Sequence, residues 1–102
     1  MKYIEFIAET IISNGIKAGF AVNGGAIAPM IDYLSHHPEF KLYNCLHESS
    51  AAYAAEGYTK RTNKSSLVIV TSGPGATNAI TGLNCCWVDS TPVLFISGQV
   101  SS

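Results

Sequence analysis

Three short segments of this chain contain residues that could take part in chemistry. Glu48 is a carboxyl followed by a run of small residues, a glycine pair lies at Gly24–Gly25, and a glycine-rich stretch runs from Gly73 to Asn78. Small residues beside a carboxyl leave room for a ligand, and a glycine-rich turn before a helix offers a backbone cradle. These segments are therefore the candidate ligand-binding residues.

Each segment also has a structural explanation. A carboxyl such as Glu48 in the first turn of a helix is favoured by the helix dipole, by about 0.3–1 kcal/mol. The Gly73–Asn78 stretch could be a plain tight turn, because Asn78 stands where the dinucleotide-binding pattern G-x-G-x-x-G requires its third glycine. No Walker A sequence occurs. A nucleotide-binding module is thus the weakest functional hypothesis.

Other polar residues give less support for a site. His36 and His37 lie in a connecting segment, where we expect surface side chains, and His47 is expected to orient or pack rather than to react. Ser72 and Ser90 have no His or Asp partner in a G-x-S-x-G context, so acyl transfer has little support.

The hydrophobic pattern alternates between helical and strand periods along the chain. It predicts helices at 2–14, 26–35, 48–61 and 76–88, and strands at 18–22, 40–46, 67–70 and 93–96. Strands separated by helices pair in parallel through right-handed crossovers. We therefore predict an α/β fold, a doubly wound parallel sheet with helices on both faces, whose strand carboxyl ends bring the three segments to one rim.

Composition excludes several classes of protein. The chain has 102 residues, 13% charged and 47% hydrophobic, with a formal net charge of −1. Such a chain is neither disordered nor suited to nucleic acid, which needs a basic surface. No apolar run approaches the roughly 20 residues that span a membrane, and no secretory signal is apparent. We expect one domain at most, with no nucleic-acid or membrane partner.

Three cysteines, Cys45, Cys85 and Cys86, form a poor disulfide framework, and none has the C-x2-C spacing of a metal site. We predict reduced thiols, a cytoplasmic location and no metal ligands. The apolar excess predicts either a face that docks on something else or a piece of a larger domain. Because the sequence ends directly after a core strand, we expect it to be truncated.

Five segments occur together in the order and spacing of a known family. They are Asn23–Ile27, His47–Tyr58, Thr71–Asn78, Asp89–Pro92 and Ile96–Val100. From about residue 2 to residue 100, the chain strongly resembles the amino-terminal, pyrimidine-binding domain of thiamine diphosphate enzymes of the acetolactate synthase type. The motifs are moderately specific one by one and highly specific together.

The resemblance implies a role for particular residues. Glu48 would be the catalytic residue, hydrogen-bonding N1′ of the aminopyrimidine and so promoting loss of the proton from C2 of the thiazolium. Gly24 and Gly25 would approach the cofactor, and Pro74 and Asn78 would line its pyrimidine side. Gln99 would lie near the site, in a role that the resemblance does not define.

The resemblance also implies cofactors and partners. It predicts thiamine diphosphate, a 2-keto acid substrate, lyase or transferase activity, and a homodimer or higher oligomer. Residues 1–102 would be the first part of the pyrimidine-binding domain. A second domain with a Gly-Asp-Gly…Asn motif, which does not occur in this sequence, would hold the diphosphate through Mg²⁺. FAD occurs in this family, but no residue of this segment supports it.

The missing motif is one departure from the family, and the residues before Gly24 are a second. Val22-Asn23 replaces the Tyr-Pro or similar pair that the family often has before Gly-Gly, so the substrate does not follow from the resemblance. The resemblance also places the glutamate-bearing helix against its dimer mate, which would account for Ala51, Ala52, Ala54 and Ala55. The alternative is a non-catalytic, stand-alone pyrimidine-like domain that binds a partner protein through its apolar face.

Overall fold

The computed structural model describes residues 2–99, so Val100 of the last family segment lies outside the described residues. Helices and strands alternate along the chain, as the hydrophobic pattern predicts. The helices are α1 (Lys2–Ser13), α2 (Ala28–Ser35), α3 (Glu48–Thr62) and α4 (Pro74–Val88), and the strands are β1 (Ala18–Ala21), β2 (Lys41–Asn44), β3 (Ser66–Val70) and β4 (Val93–Ser97).

The four strands form one parallel sheet in the order β2-β1-β3-β4. Every residue of the two central strands, β1 and β3, is buried, whereas β2 and β4 at the edges are partly exposed. A strand that is covered on both faces needs apolar residues at every position. The uninterrupted run from Leu67 to Val70 therefore belongs at the centre of the sheet.

Helices cover both faces of the sheet, which confirms the doubly wound α/β prediction. Helices α1 and α2 pack on one face, around Ile12, Leu34 and Ile69. Helices α3 and α4 pack on the other, around Ala55 and Val68. From β1 the chain adds β2 on one side, and it then returns to add β3 and β4 on the other side, so the strand order reverses between β1 and β3. Open α/β sheets bind ligands in the crevice at such a switch point.

The alanines of α3 find their partners within the chain. Ala51, Ala52 and Ala55 are fully buried, and α3 makes its most extensive helix contact with α4. A Cβ added at Gly82 of α4 would overlap the Cβ of Ala52. The close approach of α3 to α4 and to the sheet explains the small residues at these three positions.

The contact at Gly82 gives a stability prediction. Gly82→Ala is expected to destabilise the full-length protein by about 1–3 kcal/mol, because the added methyl group overpacks a tight helix interface. Gly57→Ala is the matched control, since a Cβ there meets nothing within 4 Å and alanine is the better helix former. Denaturant unfolding measures both. An unchanged unfolding free energy for Gly82→Ala would contradict the packing described.

Exposed apolar side chains concentrate on α1 and α4. Phe6 on α1 is 70% exposed, and Trp87 on α4 is 80% exposed, with Ile80 and Leu83 beside it on the same helix. This agrees with the apolar surface that composition predicted. Within residues 2–99, no helix has the length and apolar character that crossing a membrane requires.

Candidate functional site

The first turn of α3 fixes the position of Glu48. His47 has extended backbone angles (φ −146°, ψ 145°), and its Nδ1 accepts a hydrogen bond of 3.0 Å from the backbone N–H of Ser49. His47 thus satisfies an N–H group that the helix start would leave free, as the expectation of an orienting role suggested. Since Nδ1 accepts, the proton of the neutral ring lies on Nε2.

The glycine-rich segment enters its helix earlier than predicted. Gly73 has a positive φ of 70°, and α4 begins at Pro74 rather than at residue 76. Proline suits the first helical position because its missing N–H has no partner there in any case. The Gly73–Asn78 stretch is therefore a one-residue turn followed by the first turn of a helix, and Asn78 lies on that helix.

The Glu48 side chain reaches across to α4. Its Oε1 accepts a hydrogen bond of 3.1 Å from Nδ2 of Asn78, and its Oε2 lies 3.3 Å from the position that a Cβ on Gly75 would occupy. A carboxylate that is stabilised only by the dipole of its own helix would not need a hydrogen-bond partner on another helix. The explanation of Glu48 as a dipole-favoured surface acid therefore does not account for its contacts.

A second contact ties the same two helices together. The Oγ of Ser49 donates a hydrogen bond of 3.0 Å to the backbone oxygen of Asn78. Consecutive residues of α3 thus hold both the side chain and the main chain of one residue of α4. The pattern of residue types in the sequence gave no sign that Ser49 had this role.

Thr71 is a second residue of the site that sequence reasoning did not single out. A Cβ built on Gly24 would lie 2.5 Å from Cβ of Thr71, and one built on Gly75 would lie 2.9 Å from its Cγ2. Thr71 therefore fills the space between Gly24, after β1, and Gly75, at the start of α4. Its place directly after a buried strand was the available signal.

The remaining predicted residues are exposed on the rim. They are Gly25, Pro74 and Gln99, and a Cβ on Gly25 would meet nothing within 4 Å. Gln99 follows β4, and a Cβ built on its neighbour Gly98 would lie 2.7 Å from Cβ of Ala26, directly after the glycine pair. The structure thus brings Glu48 to Asn78 and Gly75, and brings Gly24 and Gly75 to Thr71.

The main ionic contacts lie away from this rim. Lys60 bridges Glu56 and Asp89 at 2.8 and 2.7 Å, where the two carboxylates raise the lysine pKa. His37 and Tyr33 both bind Glu9, and the bond from Tyr33 lowers the pKa of that carboxyl. These contacts join pairs of helices and are structural.

The burial of one histidine corrects the sequence analysis. The side chain of His37 is only 13% exposed, unlike that of His36 at 78%, so the expectation of two surface histidines was wrong for His37. It is covered because it bonds to Glu9 on α1.

The cysteines are free thiols, and burial raises the pKa of both Cys45 and Cys86. Among the described residues, no three His, Cys, Asp or Glu side chains cluster closely enough to hold a metal ion. The chemistry available at the rim therefore rests on the carboxyl of Glu48.

The fold and this rim together define a class of protein: a doubly wound α/β domain with a carboxyl beside a glycine cradle at the strand carboxyl ends. The whole chain, residues 1–102, matches the model of the thiamine pyrophosphate enzyme family, N-terminal TPP binding domain. The chain belongs to this family.

Individual relatives support the same family. The chain is 42% identical over 98 residues to the acetolactate synthase large subunit of Buchnera aphidicola subsp. Acyrthosiphon pisum, covering 96% of this chain and 17% of that protein. It is 43% identical over 102 residues to the acetolactate synthase isozyme 2 large subunit of Escherichia coli, covering 100% of this chain and 18% of that protein.

A mitochondrial acetolactate synthase of Schizosaccharomyces pombe is 39% identical over 98 residues, which cover 96% of this chain and 15% of the relative. These similarities confirm the resemblance to acetolactate synthases. The chain spans less than a fifth of the length of the curated relatives described here.

Proposed function

We propose that this chain provides the pyrimidine-binding side of a thiamine diphosphate-dependent enzyme that decarboxylates or ligates 2-keto acids, as an acetolactate synthase does. The observation that carries the proposal is the Glu48 carboxylate. One of its oxygens is bound by Asn78, and the other lies at the cradle formed by Gly75. The family match and the acetolactate synthase relatives support the same function.

The residues of the rim suit the aminopyrimidine of that cofactor. Glu48 can give a proton to a ring nitrogen and take it back, and Gly75 lets α4 begin close to its Oε2, because a Cβ there would lie 3.3 Å from that oxygen. A Cβ on Gly25 would meet nothing within 4 Å, so its surface is open to a ring. Pro74 and Asn78 would line the pyrimidine from the start of α4. Thiamine diphosphate supplies the electron sink for decarboxylation of a 2-keto acid.

Within the site, each residue of this chain has a separate task. Glu48 exchanges the proton at N1′, and Asn78 holds the carboxylate by donating to its Oε1. Gly24 and Gly75 pack on Thr71 and so set the distance between the two turns. Gln99 lies near the site, and we assign it no specific role.

We propose that residues 1–102 are the first part of the pyrimidine-binding domain and that a diphosphate-binding domain, from the same or another chain, completes the site with Mg²⁺. The relatives are much longer than this chain, and α4 exposes an apolar surface around Ile80, Leu83 and Trp87. That surface suits contact with the rest of a homodimer or higher oligomer. Nothing among the described residues indicates FAD.

The function is tested in the full-length protein. Sequencing the gene in frame beyond the codon for Ser102 is expected to reveal a Gly-Asp-Gly…Asn segment. The purified protein, given thiamine diphosphate, Mg²⁺ and a panel of 2-keto acids that includes pyruvate, is expected to release CO₂ only when the cofactor is present. Equilibrium dialysis that detects no cofactor binding would contradict the proposal and favour the non-catalytic, partner-binding alternative.

A further inference from the structure

The contact between Ser49 and Asn78 has a consequence for Glu48. Glu48 and Ser49 are consecutive residues of α3, and both bind Asn78: Glu48 through its Oε1, at 3.1 Å, and Ser49 through its Oγ, at 3.0 Å. The two bonds and the intervening backbone close a ring between the helices. Such a ring restricts the carboxylate, because the amide that holds it is itself fixed at its backbone.

The remaining atoms of Ser49 are also constrained. Its backbone N–H donates to Nδ1 of His47 at 3.0 Å, so the residue is held at both its main chain and its side chain. A serine side chain is short, and it reaches the backbone of α4 because α3 and α4 lie close together. Gly82 and Ala52 permit that approach, one helical turn along each helix from the contact.

The ring leaves the two oxygens of Glu48 in different positions. Oε1 is occupied by Asn78, whereas the hydrogen bonds of the described residues leave Oε2 without a protein partner. Oε2 is also the oxygen beside Gly75, at 3.3 Å from the position of an added Cβ. A group held in one orientation before its ligand arrives spends less free energy on ordering when the ligand binds.

We propose that Ser49 is a positioning residue that acts through Asn78 to hold the Glu48 carboxylate with Oε2 toward the ligand. This inference rests on the proposed function, since it assumes that Glu48 exchanges a proton with the aminopyrimidine. Ser49 itself does not touch the ligand. Its hydroxyl matters because it ties the start of α3, which carries Glu48, to α4 at the residue that binds Oε1.

The test compares Ser49→Ala with Ser50→Ala, the same change at the next, exposed position, in the full-length protein. Proton exchange at C2 of bound thiamine diphosphate is expected to fall about 10-fold in Ser49→Ala, a typical effect of removing a group that orients a reacting one. It is expected to stay within twofold in Ser50→Ala. Ser49→Thr keeps the hydroxyl and is expected to restore most of the rate.

A double-mutant cycle separates positioning from general stability. In the Glu48→Gln background, Ser49→Ala is expected to have no further effect on exchange, because the group that it positions no longer acts. An equal loss in both backgrounds would overturn the proposal. If Glu48→Gln itself leaves exchange unchanged, the proposed function fails; if only Ser49→Ala leaves it unchanged, the function stands and this inference fails.

A measurement without cofactor completes the test. In crystal structures of the ligand-free proteins, Ser49→Ala is expected to open the contact between Asn78 Nδ2 and Glu48 Oε1 beyond hydrogen-bond distance, about 3.5 Å. Ser50→Ala is expected to retain it. An intact contact in Ser49→Ala would overturn the proposal, whatever the activity of that variant.

Discussion

Glutamine in place of Glu48 is expected to lower the rate of proton exchange at C2 of bound thiamine diphosphate by at least about 100-fold in the full-length protein, the usual scale for losing an acid–base group. Glutamine keeps the length of the side chain and an oxygen that can accept from Asn78, but it cannot take up and return a proton. The loss therefore reports the proton transfer itself, and the fold should be preserved.

The measurement is deuterium incorporation at C2, followed by NMR after an acid quench. Glu5→Gln is the matched control, because Glu5 is exposed on α1, on the opposite face of the sheet from α3. The control is expected to exchange at the wild-type rate. Exchange in Glu48→Gln within fivefold of wild type would remove Glu48 from the catalytic role and leave the rim with no proton-transferring group.

Alanine at Gly24 is expected to lower stability by about 1–3 kcal/mol, the range for inserting a methyl group into a packed contact. The new Cβ would lie 2.5 Å from Cβ and 2.7 Å from Oγ1 of Thr71. Because Cβ of Thr71 is bonded directly to the backbone, rotating the side chain does not relieve the overlap, and the turn after β1 would have to move. Because that turn adjoins the rim, cofactor affinity is expected to fall as well.

Gly25→Ala is the matched control for this prediction. It makes the same change one residue later, where a Cβ meets nothing within 4 Å, and is expected to leave the melting temperature unchanged. A double variant, Gly24→Ala with Thr71→Gly, removes all three Thr71 atoms near the new methyl group and should recover part of the lost stability. If Gly24→Ala and Gly25→Ala melt alike, the close packing on Thr71 is contradicted.

The secondary structure was predictable because it follows from local patterns. The apolar spacing in residues 2–14 fits the helical period, and the short apolar run from Leu67 to Val70 has the length of a buried strand. The structure has α1 at Lys2–Ser13 and β3 at Ser66–Val70. The start of α4 was misplaced by two residues. Glycine and proline in sequence suggest a turn, but Pro74 satisfies the first position of a helix equally well, and the positive φ of Gly73 lets the helix begin there.

The candidate site was predictable as a set of rim residues but not as an arrangement. Parallel pairing places Gly24, Glu48 and Asn78 beyond the same ends of the strands, and this could be inferred from the order of elements. The contact of Glu48 with Asn78 needs the side-chain direction and the spacing of α3 and α4, which depend on Ala52 and Gly82 meeting. Periodicity carries no information about which small residues face each other.

The sequence by itself determined the α/β class, the family and the carboxyl most suited to chemistry, because these depend on residue type and on local spacing. The tertiary structure decided the strand order β2-β1-β3-β4 and the switch point between β1 and β3. It also decided that Thr71 and Ser49 belong to the site. Those roles arise from contacts between segments distant in the chain, which form only when the whole sheet packs between its helices.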